Sequence, residues 1–134
     1  MTTFNSSYQG NLRTKVQHNP SKGELITDAP VDNHGKGESF SPTDLVAVAL
    51  GSCMATIMGI LAEREQIDLS GLRYTTEKVM QSSPRKISEV IIHFTLADSQ
   101  LSDQDKKKLI KAALNCPVAL SLHPDLKQTV SFDI

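Results

Sequence analysis

The longest apolar segment of the chain, Leu45 to Ala62, has 18 residues without a charged side chain. Ser41, Pro42 and Asp44 precede it in the order of an N-cap, a first helical proline and a capping box, so the pattern predicts a helix that begins there. A segment of this length meets the minimum for a membrane span, but its glycines and hydroxyl side chains dilute its hydrophobicity. We therefore expect a helix buried in a protein core, and no membrane partner.

Small side chains recur every fourth residue along this helix, at Ala47, Gly51, Ala55 and Gly59. Residues with this spacing share one helix face, and small residues allow another helix to approach it closely. A chain of this size has few elements with which to cover a helix on all sides. We therefore expect a second subunit to supply part of the cover.

Short alternating segments bounded by turn residues precede the long helix. They predict strands from Thr3 to Tyr8, Leu12 to Gln17 and Glu24 to Thr27, with a turn at Gly10 and Asn11. A polar loop rich in glycine follows, from Asp32 to Glu38. The first third of the chain is thus predicted to be a β-meander.

The remainder of the chain predicts two more strands, two helices and a final strand. The strands run from Leu72 to Met80 and from Lys86 to Leu96, and Ser102 caps a helix with Leu109, Ile110, Ala113 and Leu114 on its apolar side. Pro117 ends that helix and begins a short turn or helix to Leu122, before a strand near Thr129 to Phe132. Strands and helices do not alternate regularly, so the predicted class is α+β.

Composition limits the functions that the chain can have. With 134 residues, a net charge of −1 and interspersed acids and bases, it fits a single domain over residues 1–134 and offers no basic surface for nucleic acid. The first residues contain no basic segment followed by an apolar one, so we expect a cytoplasmic protein. His93 and His123 lack metal-site spacing, so no metal site is expected.

The two cysteines, Cys53 and Cys116, carry the candidate chemistry. Cys53 lies roughly three turns into the long helix, too far for the helix N-terminus to activate it, so a reactive thiolate there needs a cation from elsewhere. Cys116 precedes Pro117 and would cap a short helix whose N–H groups favour a thiolate. Two interpretations remain open: inert buried cysteines, or a redox pair that reacts with a hydroperoxide and then forms a transient disulfide.

Two segments resemble a known family. Residues 41–54, which include Cys53, are similar to the helix of the reactive cysteine in the OsmC/Ohr family, the osmotically inducible protein C and organic hydroperoxide resistance proteins. The segment from Asn115 to Val118 is similar to that family's Cys-Pro segment. The resemblance implies an intertwined α+β homodimer that reduces organic hydroperoxides and is itself reduced by a lipoyl-type dithiol. Cys53 would then be the peroxidatic thiol and Cys116 the resolving thiol.

The family's supporting charges match the sequence less closely. The resemblance implies an arginine from an early strand against the reactive sulfur, and Arg13 is the only arginine before the long helix. The family's glutamate after the helix proline, which holds that arginine, is Thr43 here. Four loop residues are further candidates for the missing charge or hydrogen bond: His18, His34, Lys36 and Glu38.

Two functions follow from these observations. The first is a cytoplasmic thiol peroxidase that acts on organic hydroperoxides through Cys53, Cys116 and Arg13, binds no cofactor and uses an external dithiol. The second is a dimeric small-molecule binding protein of the same fold, in which the altered Arg-Glu pair leaves the thiols slow.

Overall fold

The computed structural model describes all 134 residues and consists of six strands, three α-helices and one 3-10 helix at Val31–Asn33. The elements in chain order are β1 (Phe4–Gly10), β2 (Arg13–His18), β3 (Glu24–Asp28), α1 (Pro42–Glu65), β4 (Arg73–Ser82), β5 (Arg85–Thr95), α2 (Asp103–Leu114), α3 (Pro117–Ser121) and β6 (Lys127–Asp133). The α+β class is confirmed, and every predicted element is present with its bounds shifted by a few residues.

The chain forms two compact units, Met1–Val46 and Ala47–Ile134. The first contains an antiparallel sheet in the order β1-β2-β3. Its first hairpin turns at Asn11 and Leu12, with φ angles of 51° and 60°, as a two-residue loop of the primed type requires. This turn sets Arg13 at the start of β2, directly opposite Asp28 of β3.

The start of α1 is the capping box that the sequence predicts. The Ser41 hydroxyl accepts a hydrogen bond from the Asp44 backbone N–H at 3.1 Å, and the Asp44 carboxylate accepts one from the Ser41 N–H at 2.8 Å. These reciprocal bonds satisfy backbone donors that a helix N-terminus otherwise leaves without partners.

The second unit has its core between the rest of α1 and a sheet in the order β4-β5-β6. Strands β4 and β5 form an antiparallel hairpin, whereas β5 and β6 pair in parallel through a crossover that contains α2 and α3. The sequence pattern did not predict this parallel pair. The largest fully buried apolar side chains come from α1, β5 and α2: Leu50, Met54, Met58, Val90, Ile92, Phe94 and Leu109.

Helix α1 is long and apolar enough to cross a membrane by length and composition alone. Its most apolar 18-residue window has a mean hydropathy of 2.2, and 39% of that window is buried inside the structure. Leu50, Met54 and Met58 are fully buried in the core of the second unit. This burial supports the prediction of a core helix.

Helix α2 is amphipathic, as the pattern predicts, and Ser102 caps it by accepting a hydrogen bond from the Asp105 N–H at 3.1 Å. Leu109 and Ala113 are fully buried, but Leu114, predicted on the same face, is 45% exposed. The apolar face of α2 is therefore narrower than the pattern indicates.

The stripe of small residues on α1 packs against a strand at one position and not against a helix. A Cβ atom added at Gly51 would lie 2.7 Å from Thr76 Oγ1 and 3.1 Å from Tyr74 Cε2, both on β4. At Gly59, the same addition meets nothing within 4 Å in the chain. The expected close approach of a helix is thus wrong at Gly51, where the neighbour is β4.

Gly51→Ala is expected to lower the free energy of unfolding by about 1 kcal/mol. Overpacking costs roughly 1–3 kcal/mol and outweighs the gain of up to about 1 kcal/mol when alanine replaces glycine in a helix. The matched control is Gly59→Ala, which has the same gain without a clash in the chain and should raise the unfolding free energy. Urea unfolding of both variants measures this, and equal effects would contradict the packing described for Gly51.

Candidate redox site

Cys53 lies in α1 near the middle of the helix and is only partly buried. Its side chain packs against the core of the second unit, at the edge of the buried cluster. The residue is thus partly in apolar packing and partly exposed. Partial exposure is typical of reacting cysteines.

Cys116 lies at the N-cap of α3 and is fully buried. Its Sγ accepts a hydrogen bond from the Ala119 backbone N–H at 3.4 Å, and Pro117 occupies the first helical position. The short helix begins as predicted because proline at this position has the required φ and needs no N–H partner.

The two thiols lie near each other in the second unit, since Cys53 packs against the buried cluster that contains Cys116 and acts on the pKa of its thiol, and no disulfide joins them. Burial raises the pKa of the Cys116 thiol above its ordinary value, the Ala119 N–H acts in the opposite direction, and the nearby Cys53 thiol raises it further. The backbone N–H groups act in the predicted direction, but burial acts against them and the net direction of the pKa is upward. The expected backbone hydrogen bond is present, but the cost of burying a charge exceeds its effect.

Arg13 lies in the first unit and is held there by two carboxylates. Its Nε donates to Asp28 Oδ1 at 2.7 Å and its Nη2 donates to Asp28 Oδ2 at 2.9 Å, in a bidentate pair. Nη2 also donates to Glu38 Oε2 at 2.9 Å. Bidentate pairs of this kind fix the plane of the guanidinium as well as its position.

Charge pairing governs the ionisation of this cluster. The hydrogen bonds to Arg13 hold the pKa of Asp28 below its usual range despite its burial, and nearby Lys36 adds to the effect. In turn, Asp28 and then Glu38 raise the pKa of Arg13 above its already high value. Arg13 and Asp28 therefore form a charged pair at neutral pH.

Asp28 is the residue of this cluster that the sequence interpretation missed. It ends the segment Glu24–Asp28, and the antiparallel register of β2 and β3 places it directly opposite Arg13. The available signal was a pair of opposite charges at facing positions of two adjacent strands. Recognising that pair requires the register of the two strands, which is known only from the folded structure. Glu38 was among the predicted loop candidates.

The other loop candidates lie outside this cluster or at its edge. His18 Nδ1 and Ser21 Oγ are hydrogen-bonded at 2.6 Å on the exposed surface, and His34 ends the 3-10 helix in a left-handed conformation with φ of 62°. The Thr43 hydroxyl lies 3.1 Å from the Ser41 hydroxyl at the start of α1. Neither histidine bonds to Arg13.

The chain has no group of three or more histidine, cysteine or acidic side chains that could hold a metal ion. His93 Nδ1 is hydrogen-bonded to Ser131 Oγ at 2.7 Å, and His123 Nδ1 accepts from the Asp125 N–H at 3.1 Å. Both histidines are thus engaged in local pairs.

A cavity of about 310 Å³ lies in the second unit, beside the end of α1 and the loop before α2. Polar and acidic residues line most of it, among them Asp68, Asp98 and Asp105. Neither cysteine contributes to its lining. The candidate redox site is therefore the pair of neighbouring thiols and not this cavity.

Comparison with known proteins gives one family. A model of the OsmC-like protein family matches residues 35–131. The solved structure of a proposed osmotic stress induced and detoxification response protein from Psychrobacter arcticus 273-4 is 52% identical in sequence, with a TM-score of 0.93. That alignment covers 98% of this chain and 96% of the other. No curated protein matched.

More distant structures share the fold. An organic hydroperoxide resistance protein OsmC from Legionella pneumophila is 19% identical, with a TM-score of 0.79 over 100% of this chain and 97% of that one. A proposed organic hydroperoxide resistance protein from Vibrio cholerae O1 biovar eltor str. N16961, with captopril bound in one of its active sites, is 20% identical. Its TM-score is 0.72 over 99% of this chain and 91% of that one.

Proposed function

The chain belongs to the OsmC-like protein family, and from this premise we propose that it is a thiol peroxidase that reduces organic hydroperoxides. The observation that carries the proposal is the proximity of a partly exposed Cys53 to a fully buried Cys116 in one packed cluster. A peroxide-related role also agrees with the organic hydroperoxide resistance proteins that share the fold.

Cys53 is the peroxidatic thiol in this proposal because it is the more accessible of the two. Its thiolate attacks the outer oxygen of the hydroperoxide, the O–O bond breaks, and the departing alkoxide takes a proton and leaves as an alcohol. Cys53 is then a sulfenic acid, oxidised by two electrons.

Cys116 is the resolving thiol in this proposal because it lies near Cys53 and is buried. Its sulfur attacks the sulfenic sulfur, water leaves, and a Cys53–Cys116 disulfide forms. An external dithiol of the lipoyl type then restores both thiols through a mixed disulfide and becomes a disulfide itself. No bound cofactor takes part, and a cytoplasmic location suits a cycle that depends on reduced thiols.

We assign to Arg13 the role of the cation that stabilises the Cys53 thiolate. A guanidinium keeps its charge at any physiological pH and can donate to a thiolate or to a peroxide oxygen. Its carboxylate partners are Asp28 and Glu38. The glutamate expected from the family is thus replaced by other carboxylates in holding the arginine.

We further propose that the active form is a homodimer. Phe4, Tyr8 and Leu25 lie on one face of the first sheet and are 60%, 67% and 42% exposed. Exposed large apolar side chains that share a sheet face are typical of a subunit interface. Sedimentation that gives only the mass of one chain, 14.6 kDa, would exclude the dimer.

A binding protein of the same fold is the second candidate. It is favoured by Thr43 in place of the glutamate and by burial, which raises the pKa of Cys116. The two candidates differ in how fast Cys53 reacts.

Alkylation by iodoacetamide at pH 7 distinguishes the candidates, in a Cys116→Ser variant where only Cys53 is present. A peroxidatic Cys53 is expected to react about tenfold or more faster than free cysteine, because its thiolate is stabilised by a cation. Free glutathione under the same conditions is the reference. A rate at or below that of the reference would favour the binding protein.

A further inference from the structure

Strand β6 carries a polar side chain on the face of its sheet that packs in the core. Gln128 is partly buried and lies opposite Val90 of β5, which is fully buried. Because alternate residues of a strand share a face, Gln128 lies on the same side as Val130 and Phe132, which both pack against the buried cluster. An amide in this position needs a hydrogen-bond partner, since burying it without one is costly.

The partner of Gln128 lies in the short helix α3. Its side-chain Nε2 donates a hydrogen bond to the Ala119 carbonyl at 3.0 Å, in a partly buried position. A carbonyl oxygen can only accept a hydrogen bond, so the atom that faces it is the amide nitrogen of Gln128 and not the amide oxygen. This bond joins α3 to the sheet of the second unit.

Ala119 connects this bond to the Cys116 thiol. Its backbone N–H donates to Cys116 Sγ at 3.4 Å, while its carbonyl accepts from Gln128. The backbone of Cys116 is also bonded on both sides. Its N–H donates to the Ala113 carbonyl at 3.2 Å, and its carbonyl accepts from the Leu120 N–H at 3.1 Å. The position of the thiol therefore follows the position of α3.

A helix as short as α3 needs an anchor. It has five residues, and helices of this length are unstable without tertiary contacts. The reaction of Cys116 with an oxidised Cys53 has strict geometry, since the Cβ atoms of a disulfide lie about 3.5–4.5 Å apart. A thiol on a loosely held helix meets this condition less often, so the reaction slows.

We infer that Gln128 positions Cys116 for its reaction with Cys53 by holding α3 at Ala119. This inference rests on the proposed function. The step that it serves is the second one, in which the Cys116 sulfur attacks the sulfenic sulfur of Cys53. The S–S bond forms, the S–O bond breaks, and the hydroxyl group leaves with the thiol proton as water. Oxidation of Cys53 by the hydroperoxide does not depend on Gln128.

The test separates these two steps in Gln128→Met, whose side chain has a similar length and no N–H donor. Reduced protein is mixed rapidly with one equivalent of tert-butyl hydroperoxide, and a sulfenic-acid probe and peptide mapping give the rate of each step. Oxidation of Cys53 is expected to stay within about twofold of wild type. Disulfide formation is expected to be about tenfold slower, because α3 loses its anchor. A general loss of stability would affect both steps alike.

The matched control is Gln17→Met, the same substitution on β2, where the Gln17 amide donates to Glu24 at 3.3 Å on the exposed surface. It should change neither rate. Gln128→Glu has nearly the native shape, but its carboxylate cannot donate at pH 7. It should slow disulfide formation as well, and it decides the question if Gln128→Met does not fold. Disulfide formation within about twofold of wild type would overturn the inference, and so would equal slowing of both steps.

A measurement without peroxide distinguishes this inference from the proposed function. Equilibration with reduced and oxidised glutathione gives the effective concentration of the two thiols toward each other. Gln128→Met is expected to lower that concentration by about tenfold, and an unchanged value would overturn the inference. If Cys53→Ser retains turnover, the peroxidase proposal is wrong, and the glutathione equilibrium still tests whether Gln128 positions Cys116.

Discussion

Cys53→Ser is expected to abolish hydroperoxide reduction, with turnover at least about 1000-fold below wild type and indistinguishable from the reaction without protein. A serine hydroxyl does not ionise at neutral pH and cannot form a sulfenic acid, so both the attack and the stored oxidation state are lost. Consumption of tert-butyl hydroperoxide with a dithiol reductant measures the effect.

The matched control for this change is Ser52→Ala, on the neighbouring exposed position of the same helix. It should keep wild-type turnover, because it alters the same turn of α1 without touching a thiol. Wild-type turnover in Cys53→Ser would refute the assignment of Cys53. Loss of activity in Ser52→Ala would point to a disturbed helix.

Cys116→Ser is expected to convert a continuous reaction into a burst. Cys53 can still react once, so about one equivalent of hydroperoxide per chain is consumed quickly. The sulfenic acid then has no second thiol to condense with and accumulates, and further turnover is slow. Rapid mixing followed by a sulfenic-acid probe measures both the burst and the trapped intermediate.

Serine is the suitable replacement because the position is a helix cap. A serine hydroxyl can accept the hydrogen bond that Ala119 now donates to Cys116 Sγ at 3.4 Å, so α3 keeps its N-cap. Circular dichroism should confirm that the variant is folded. Steady-state turnover equal to wild type would show that Cys116 does not resolve the intermediate.

Structural features that depend only on neighbouring residues could be predicted from the sequence. The capping box at Ser41 and Asp44, the proline that begins α3 and the hairpin turn after Gly10 all depend on a few consecutive side chains. Their chemistry acts within one turn of the chain, so it can be read from the sequence.

Longer-range features could not be predicted in this way. The parallel pair of β5 and β6 has no signature in either strand, since register depends on which faces meet in the core. The pairing of Arg13 with Asp28 depends on the register of two strands in the same manner. Both became visible only when the strands were paired.

Cys116 shows how tertiary burial can oppose a local effect that the sequence predicts. The backbone N–H of Ala119 does bond to the sulfur, as the N-cap position predicts. The full burial of the thiol comes from the tertiary packing of distant elements, and it determines the direction of the pKa. The pairing with Cys53, 63 positions earlier, was one of two interpretations that the residues left open, and the family resemblance favoured it.

One measurement tests the proposed thiol cycle directly. Reduced wild-type protein is treated with one equivalent of tert-butyl hydroperoxide, alkylated, digested without reductant and analysed by mass spectrometry. We expect a loss of two hydrogens per chain, mapped to a peptide pair joined through Cys53 and Cys116, with one equivalent of alcohol released. Two alkylated thiols after the peroxide has been consumed would contradict the cycle, as would a Cys53 oxidised to sulfinic acid beside a free Cys116.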